Sequence, residues 1–318
     1  MTHRITLSCL GLLLACGCSA APTDGRDVET TNQNVYTTSV FTTALNSGDQ
    51  ADVYYPVGGT PDSFPIIAFL QGGLVDKSLY SGFASTLAGA GYVVVVPNHF
   101  QAFGPPGSPP ALFSSQTVVN DVLASMTAAD ANPASPVYQV VDTNNLGVSG
   151  HSFGGAAALY TVEGSCNLPF CFTPPFTPPY VRPPQLKAAA VYGVNTYSPM
   201  GVLLDVNTSA APVALLQGSV DGRATPAKAA DTFGLMETPK GLVTFDGLNH
   251  WGIADVQNPP GNTPDPGVQT RDQSWGISKT AKYARIVFDA YLKGDSDALA
   301  KLQTQQSETG ITIQFVGQ

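Results

Sequence analysis

The hydrophobic positions of this chain fall into two kinds of run. Six are short and almost continuously apolar: Pro65–Leu70, Tyr92–Val96, Leu146–Val148, Ala188–Tyr192, Pro212–Leu216 and Leu242–Phe245. Continuous Val, Ile and Leu segments of this length fit strands covered on both faces. Two earlier segments, Val35–Thr43 and Ala51–Tyr55, are rich in β-branched and aromatic residues and precede any helical pattern. Between the runs lie helix-compatible stretches, Ser78–Ala90, Gln116–Ala131, Phe153–Glu163 and Lys279–Leu292. Strands alternating with helices predict a doubly wound, mainly parallel α/β sheet of eight strands with helices on both faces. No internal repeat or second domain is visible. The interval between Tyr192 and Pro212 is short, which predicts an open face without a large helical lid.

The fifth strand runs into Gly150-His151-Ser152-Phe153-Gly154, a G-x-S-x-G pattern. With 32 Gly in 318 residues, chance supplies on the order of 0.2 matches per chain, so the context decides. Leu146 to Ser149 precede the motif as a strand, and Gly155-Ala156-Ala157-Ala158-Leu159-Tyr160 follow as a helix. This is the strand, sharp turn and helix that presents a nucleophilic serine, and the flanking glycines remove Cβ atoms that would clash there.

A serine needs an adjacent base, and the chain has four histidines. His3 lies at the extreme N-terminus. The turn points the side chain of His151 away from the Ser152 hydroxyl, and His99 ends the fourth strand. His250 follows the eighth strand in Gly247-Leu248-Asn249-His250-Trp251-Gly252, where such a turn would meet its base. Asp221, just past the seventh strand, is the candidate for orienting the imidazole. Asp205, before that strand, and Asp246, at the end of the eighth, are less well placed. The chain order Ser152, Asp221, His250 is that of α/β-hydrolases. Two backbone N–H groups are expected to hold an oxyanion: that of Phe153, after the nucleophile, and that of Gly73 in Gln71-Gly72-Gly73-Leu74, with Leu74 as the alternative. No metal or organic cofactor is required by this chemistry.

Composition adds a location and removes some partners. The net charge is −9 and the isoelectric point near 4.7, which argues against nucleic acid as a partner. Arg4 followed by the apolar run Ile5–Ala15 reads as a targeting segment too short to span a bilayer. Leu13-Leu14-Ala15-Cys16 resembles a bacterial lipoprotein signal, with Cys16 as the lipidated residue. Cys18, or a cut near Ala21, is the alternative. The expected organisation is a signal over 1–16, a tether over 17–33 and one domain over 34–318, in an exported bacterial protein that meets a membrane only through a lipid anchor. Of five cysteines, only Cys166 and Cys171 lie beyond this region. In an exported chain they predict a local disulfide.

Two loops are rich in Pro and aromatic residues. Asn98–Ser115 carries Phe100, Phe103 and Phe113, and Asn167–Pro184 carries Phe170, Phe172, Phe176 and Tyr180. They read either as an apolar wall at a substrate entrance or as rings packed over the sheet. The same two readings hold for Tyr192 and Trp251 at the strand ends, and Leu74 joins them as a candidate substrate contact.

Beyond the serine motif, several segments resemble the chlorophyllase-like α/β-hydrolases, especially cyanobacterial chlorophyllases. They are Phe69-Leu70-Gln71-Gly72, Val75–Ser81, Gly91–His99, Gly150–Gly155, Cys166–Cys171, Ala190–Asn195, Gln217–Gly222 and Gly247–Gly252. The likeness covers roughly residues 50 to 290. The region of the third and fourth strands is more distantly similar to platelet-activating-factor acetylhydrolases and bacterial polyester hydrolases. The resemblance implies a carboxylic ester hydrolase with the constellation above, acting on a small or polymeric hydrophobic ester. In chlorophyllases that ester joins a phytyl chain to a porphyrin carboxyl.

Overall fold

The apolar runs assemble into the sheet that their pattern predicts, with one strand more. The structure is a computed structural model that describes Met1 and residues 36–105, 107–171 and 180–317. The expected signal with Cys16, the tether, and Phe172 and Phe176 lie outside the described residues. All elements fall within one unit, Asn34–Gln318.

Strands β1 (Thr38–Ala44), β2 (Gln50–Pro56), β3 (Phe64–Leu70) and β4 (Val93–Asn98) precede a small hairpin, β5 (Phe100–Ala102) with β6 (Pro110–Leu112). Then follow β7 (Val141–His151), β8 (Leu186–Tyr192), β9 (Val213–Gly218), β10 (Lys240–Phe245) and β11 (Ile311–Val316). The main sheet is nine-stranded, in the order β1-β2-β4-β3-β7-β8-β9-β10-β11. It is parallel from β4 through β10 and antiparallel at both margins.

Alternate residues of the inner strands go to opposite faces. Ile66, Ala68 and Leu70 join Val93 and Val95 against helices α2 (Thr117–Asp130) and α3 (Phe153–Glu163). Ile67 and Phe69 join Val94 and Val96 against α1 (Ser81–Gly89), α5 (Gln273–Leu292) and α6 (Ser296–Gln303). A remaining helix, α4 (Pro226–Leu235), leads back to β10. Both faces are therefore dry, which is why these strands read as unbroken apolar runs.

Four features depart from the sequence reading. Strand β11, Ile-Thr-Ile-Gln-Phe-Val, alternates buried and exposed positions as an edge strand does. The hairpin β5–β6 folds the Pro-rich loop back on itself, and helices α4 and α6 also went unread. Helix α5 begins at Gln273, well before Lys279. Residues 193–212 contain no helix, only a bridge between Tyr197 and Leu203. The carboxyl ends of β3, β7, β9 and β10 thus meet at one open edge of the sheet, where ligands of such folds bind.

Candidate active site

The register Leu70↔Gly150 brings the end of β7 level with the end of β3. The turn that follows is forced. Ser152 has φ 53° and ψ −120°, a conformation that costs a non-glycine residue about 1–3 kcal/mol. It persists because neighbours leave no alternative. A Cβ on Gly150 would lie 2.7 Å from the Gly154 carbonyl oxygen, and one on Gly154 only 2.2 Å from that of Leu70. The Ser152 N–H is held by the Tyr192 carbonyl at 3.0 Å. Helix α3 starts immediately afterwards, and its Gly154–Val162 stretch is buried on all sides.

Ser152 meets the two partners expected from the sequence. Its Oγ lies 2.8 Å from His250 Nε2, and His250 Nδ1 lies 2.8 Å from Asp221 Oδ2. A carboxylate only accepts, so Nδ1–H donates to Asp221 and Nε2 is left to accept the serine hydroxyl proton. The second oxygen of Asp221 takes the N–H groups of Arg223 and Ala224 at 2.9 and 2.8 Å. Asp221 and His250 are both buried. Gly193, at φ 60°, passes so close that a Cβ there would stand 3.1 Å from His250 Nδ1.

The other acids and histidines are placed elsewhere. Asp246 is exposed and pairs with Arg271, while Asp205 bonds the N–H of Val206. His99 pairs with Asp49 at 2.7 Å. His151 is fully buried beneath the serine. Its Nε2 lies 2.8 Å from the His250 carbonyl and its Nδ1 3.0 Å from Tyr80 Oη. Nε2–H is the donor to the carbonyl, and Nδ1 accepts from the phenol. Burial, with His250 beside it, holds the His151 imidazole well below its usual pKa and so uncharged. Burial likewise raises the Tyr80 phenol, keeping its proton. The Tyr80 oxygen also accepts the Gly72 N–H at 2.9 Å. A chain of bonds therefore runs beneath the serine from the β3 loop to the histidine loop. Tyr80 and its role were not visible in the sequence.

Among the described residues, no acceptor is bonded to the N–H of Gly73 or of Phe153, and a Cβ on Gly73 would lie 3.6 Å from Phe153 Cβ. These two free donors stand beside each other, at the start of α3 and the end of β3. The alternative, Leu74, is committed: its N–H bonds Leu112 O at 2.6 Å. Leu74 instead holds a left-handed φ of 62° with an exposed side chain.

A cavity of about 700 Å³ opens over Ser152. One side is aromatic: Phe113 packs on Phe103 and Phe153, with ring centroids 4.5 and 5.0 Å away, and Phe170 follows at 4.9 Å from Phe153. Leu168, Pro169 and Phe170 reach this wall from the small loop closed by the Cys166–Cys171 disulfide. Leu74, Trp251, Asn262 and Arg223 line the other parts, with Arg223 lying over the Trp251 ring at 5.5 Å. Tyr192 does not line the cavity. It is fully buried and gives its hydroxyl to Asn249 O at 2.6 Å, because Gly218 and Gly252 leave space for the ring under the histidine loop. Its reading as a pocket wall is corrected to that of a support. Phe100 is exposed and outside the lining.

A PET hydrolase-like family model matches residues 19–174, which include the β3 loop and the serine turn. Together with the mainly parallel sheet and its serine turn, this decides the fold. It is the α/β-hydrolase fold. The chain is also 31% identical over 115 residues to the chlorophyllase type 0 of Chenopodium album, an alignment covering 33% of this chain and 30% of that protein. The family model ends before Asp221 and His250. Those two rest on geometry.

Proposed function

We propose that this protein is a serine carboxylic ester hydrolase acting on hydrophobic esters. The observation that carries the reading is the unbroken line of bonds from Ser152 through His250 to Asp221 at the floor of an apolar cavity. In this mechanism His250 Nε2 takes the Ser152 proton as Oγ attacks the ester carbonyl. The N–H groups of Gly73 and Phe153 receive the oxyanion. Asp221 stabilises the imidazolium, which then protonates the departing alcohol. Water activated by the same imidazole releases the acid.

The resemblance to chlorophyllases supports a bulky, apolar alcohol or acid. The PET hydrolase-like match and the absence of a helical cap over residues 193–212 favour a second reading, in which the ester is part of a polymer or lipid. The Cys166–Cys171 disulfide supports an exported protein. Lipidation at Cys16 belongs to the same proposal, and the mass of the mature N-terminus decides it.

The test is hydrolysis of a p-nitrophenyl ester series, chlorophyll a and a polyester film by the wild type and by Ser152→Ala. Loss of at least about 10⁴-fold in kcat is expected for the variant, and the preferred substrate separates the two readings. A wild type that turns over nothing and resists a serine-directed phosphonate would mean a binding module that keeps only the fold.

A further inference from the structure

We infer that Asp265 is a positioning residue that sets His250 against Asp221, a role that rests on the ester-hydrolase reading. His250 and Asp221 sit on separate loops, after the paired strands β10 and β9. The Val220 N–H bonds Leu248 O at 3.0 Å and the Gly247 N–H bonds Ser219 Oγ at 2.9 Å, but neither bond reaches the backbone of His250. The segment Asp265-Pro266-Gly267 lies against both. Asp265 Oδ2 accepts the backbone N–H of His250 at 2.6 Å. Oδ1 accepts the N–H of Gly222, next to Asp221, at 3.0 Å. One carboxylate therefore holds the backbone of the base and the backbone beside the acid. Hydrogen bonds to an ionised acceptor are roughly twice as strong as neutral ones.

The clamp is itself seated. A Cβ on Gly267 would fall 1.7 Å from the Val220 carbonyl oxygen, so only glycine lets the segment lie on the acid loop. The Gly267 carbonyl accepts Asn249 Nδ2 at 3.0 Å, and the Asp265 N–H is held by Asn258 Oδ1 at 2.9 Å. Asp265 also bonds the N–H of Gly267, two residues on, at 2.7 Å. That local bond is an ordinary aspartate turn and uses Oδ1. The bond from Oδ2 to His250, across fifteen residues, is not needed for the turn. The hydrogen bonds of Asp265 go to backbone N–H groups and Asn258, not to Ser152 or the imidazole ring, so its effect on the reaction passes through His250.

Asp265→Asn separates the two roles. The carboxamide oxygen can keep the bonds to Gly222 and Gly267, while its NH₂ faces the His250 N–H and cannot accept from it. In the full chain we expect kcat to fall about ten-fold with KM within about two-fold, since small misplacements of a catalytic group cost rate rather than binding. Phosphonate labelling of Ser152 should slow by the same factor and still reach full stoichiometry. The low-field Nδ1 proton resonance of His250 should shift. Asp265→Ala, which also loses the turn, should fall further.

Wild-type kcat with an unshifted resonance in Asp265→Asn overturns the assignment. So does an activity loss matched by an equal loss of labelling stoichiometry, which is unfolding alone. If the wild type neither hydrolyses esters nor labels, the ester-hydrolase reading falls. The resonance then judges the clamp: a shift in Asp265→Asn supports it and an unchanged signal overturns it.

Discussion

The floor and the wall of the cavity are built on opposite terms. On the floor, Ser152, His250, Asp221 and His151 are polar groups bonded to one another or to backbone, and strand ends or tight glycine turns place each one. The wall is made of rings and aliphatic chains carried by loops: Phe103 and Phe113 around the β5–β6 hairpin, Phe170 in the disulfide loop, and Leu204 after β8. The described loops around the mouth are almost free of charge. Residues 99–105, 107–116, 164–171, 193–204 and 256–264 contain no Asp, Glu, Lys or Arg. Buried polar groups tolerate little displacement, because each missing partner costs about 1–3 kcal/mol. Apolar walls tolerate exchange of one ring for another. Under the proposed ester-hydrolase function, the contrast assigns the reaction to the floor and the choice of ester to the wall.

The sharpest way to break this division is at Gly193. A methyl group there meets His250 Nδ1 and Asp221 Oδ2 at 3.1 and 3.2 Å, at a positive φ. Gly193→Ala is expected to lower kcat about 10²-fold with every ester and leave KM almost unchanged. An effect confined to bulky esters would show that floor and wall are not separate. A smaller effect is expected on the wall. Removing the ring of Phe103 or Phe170 as alanine should raise KM for a long-chain or aromatic ester about ten-fold, the worth of a partly buried side chain. The kcat for a p-nitrophenyl acetate should stay within about two-fold. A uniform loss of kcat across both esters would place those rings in support of the floor.

The smallest effect concerns stability. Because the folded protein holds His151 neutral and the unfolded chain does not, the unfolded state binds more protons below the ordinary imidazole value of 6.5. The stabilisation is complete above that pH and declines as the pH falls from it toward the depressed folded value. Between pH 6.5 and 5, denaturant midpoints should show the wild type losing up to about 1.4 kcal/mol per pH unit more than His151→Gln. Parallel profiles for the two proteins would mean that His151 is charged in the folded state.

The central strands and the nucleophile turn were legible because their signals are local: apolar runs for strands buried on both faces, and glycines forced by sterics around Ser152. Asp221 and His250 followed from chain order against the strands. Other features depend on distant packing. Asp265 reads as an ordinary turn residue in Thr-Pro-Asp-Pro-Gly, and nothing in that stretch names His250 as its partner. Tyr80 looks like one more apolar position of a helix until its hydroxyl meets His151. Tyr192 was misplaced because a ring at a strand end can point to the cavity or beneath it. Small residues at 218 and 252 open the space beneath. Helix α4 and strand β11 had readable signs: a Thr225-Pro226 start for the helix and strict alternation for the strand.

The antiparallel margins of the sheet bear on how the chain behaves in a crowded solution. Segments such as Phe64–Leu70 and Val93–Val96 have the β-propensity and lack of charge that drive chains to stack into fibrils. Every one of them is paired on both sides within the sheet. The strands left at the rim are β1, Thr-Ser-Val-Phe-Thr-Thr-Ala, and β11, whose Thr312 and Gln314 face solvent. These outer strands act as guards, offering a passing molecule a short, half-polar edge in place of the aggregation-prone centre.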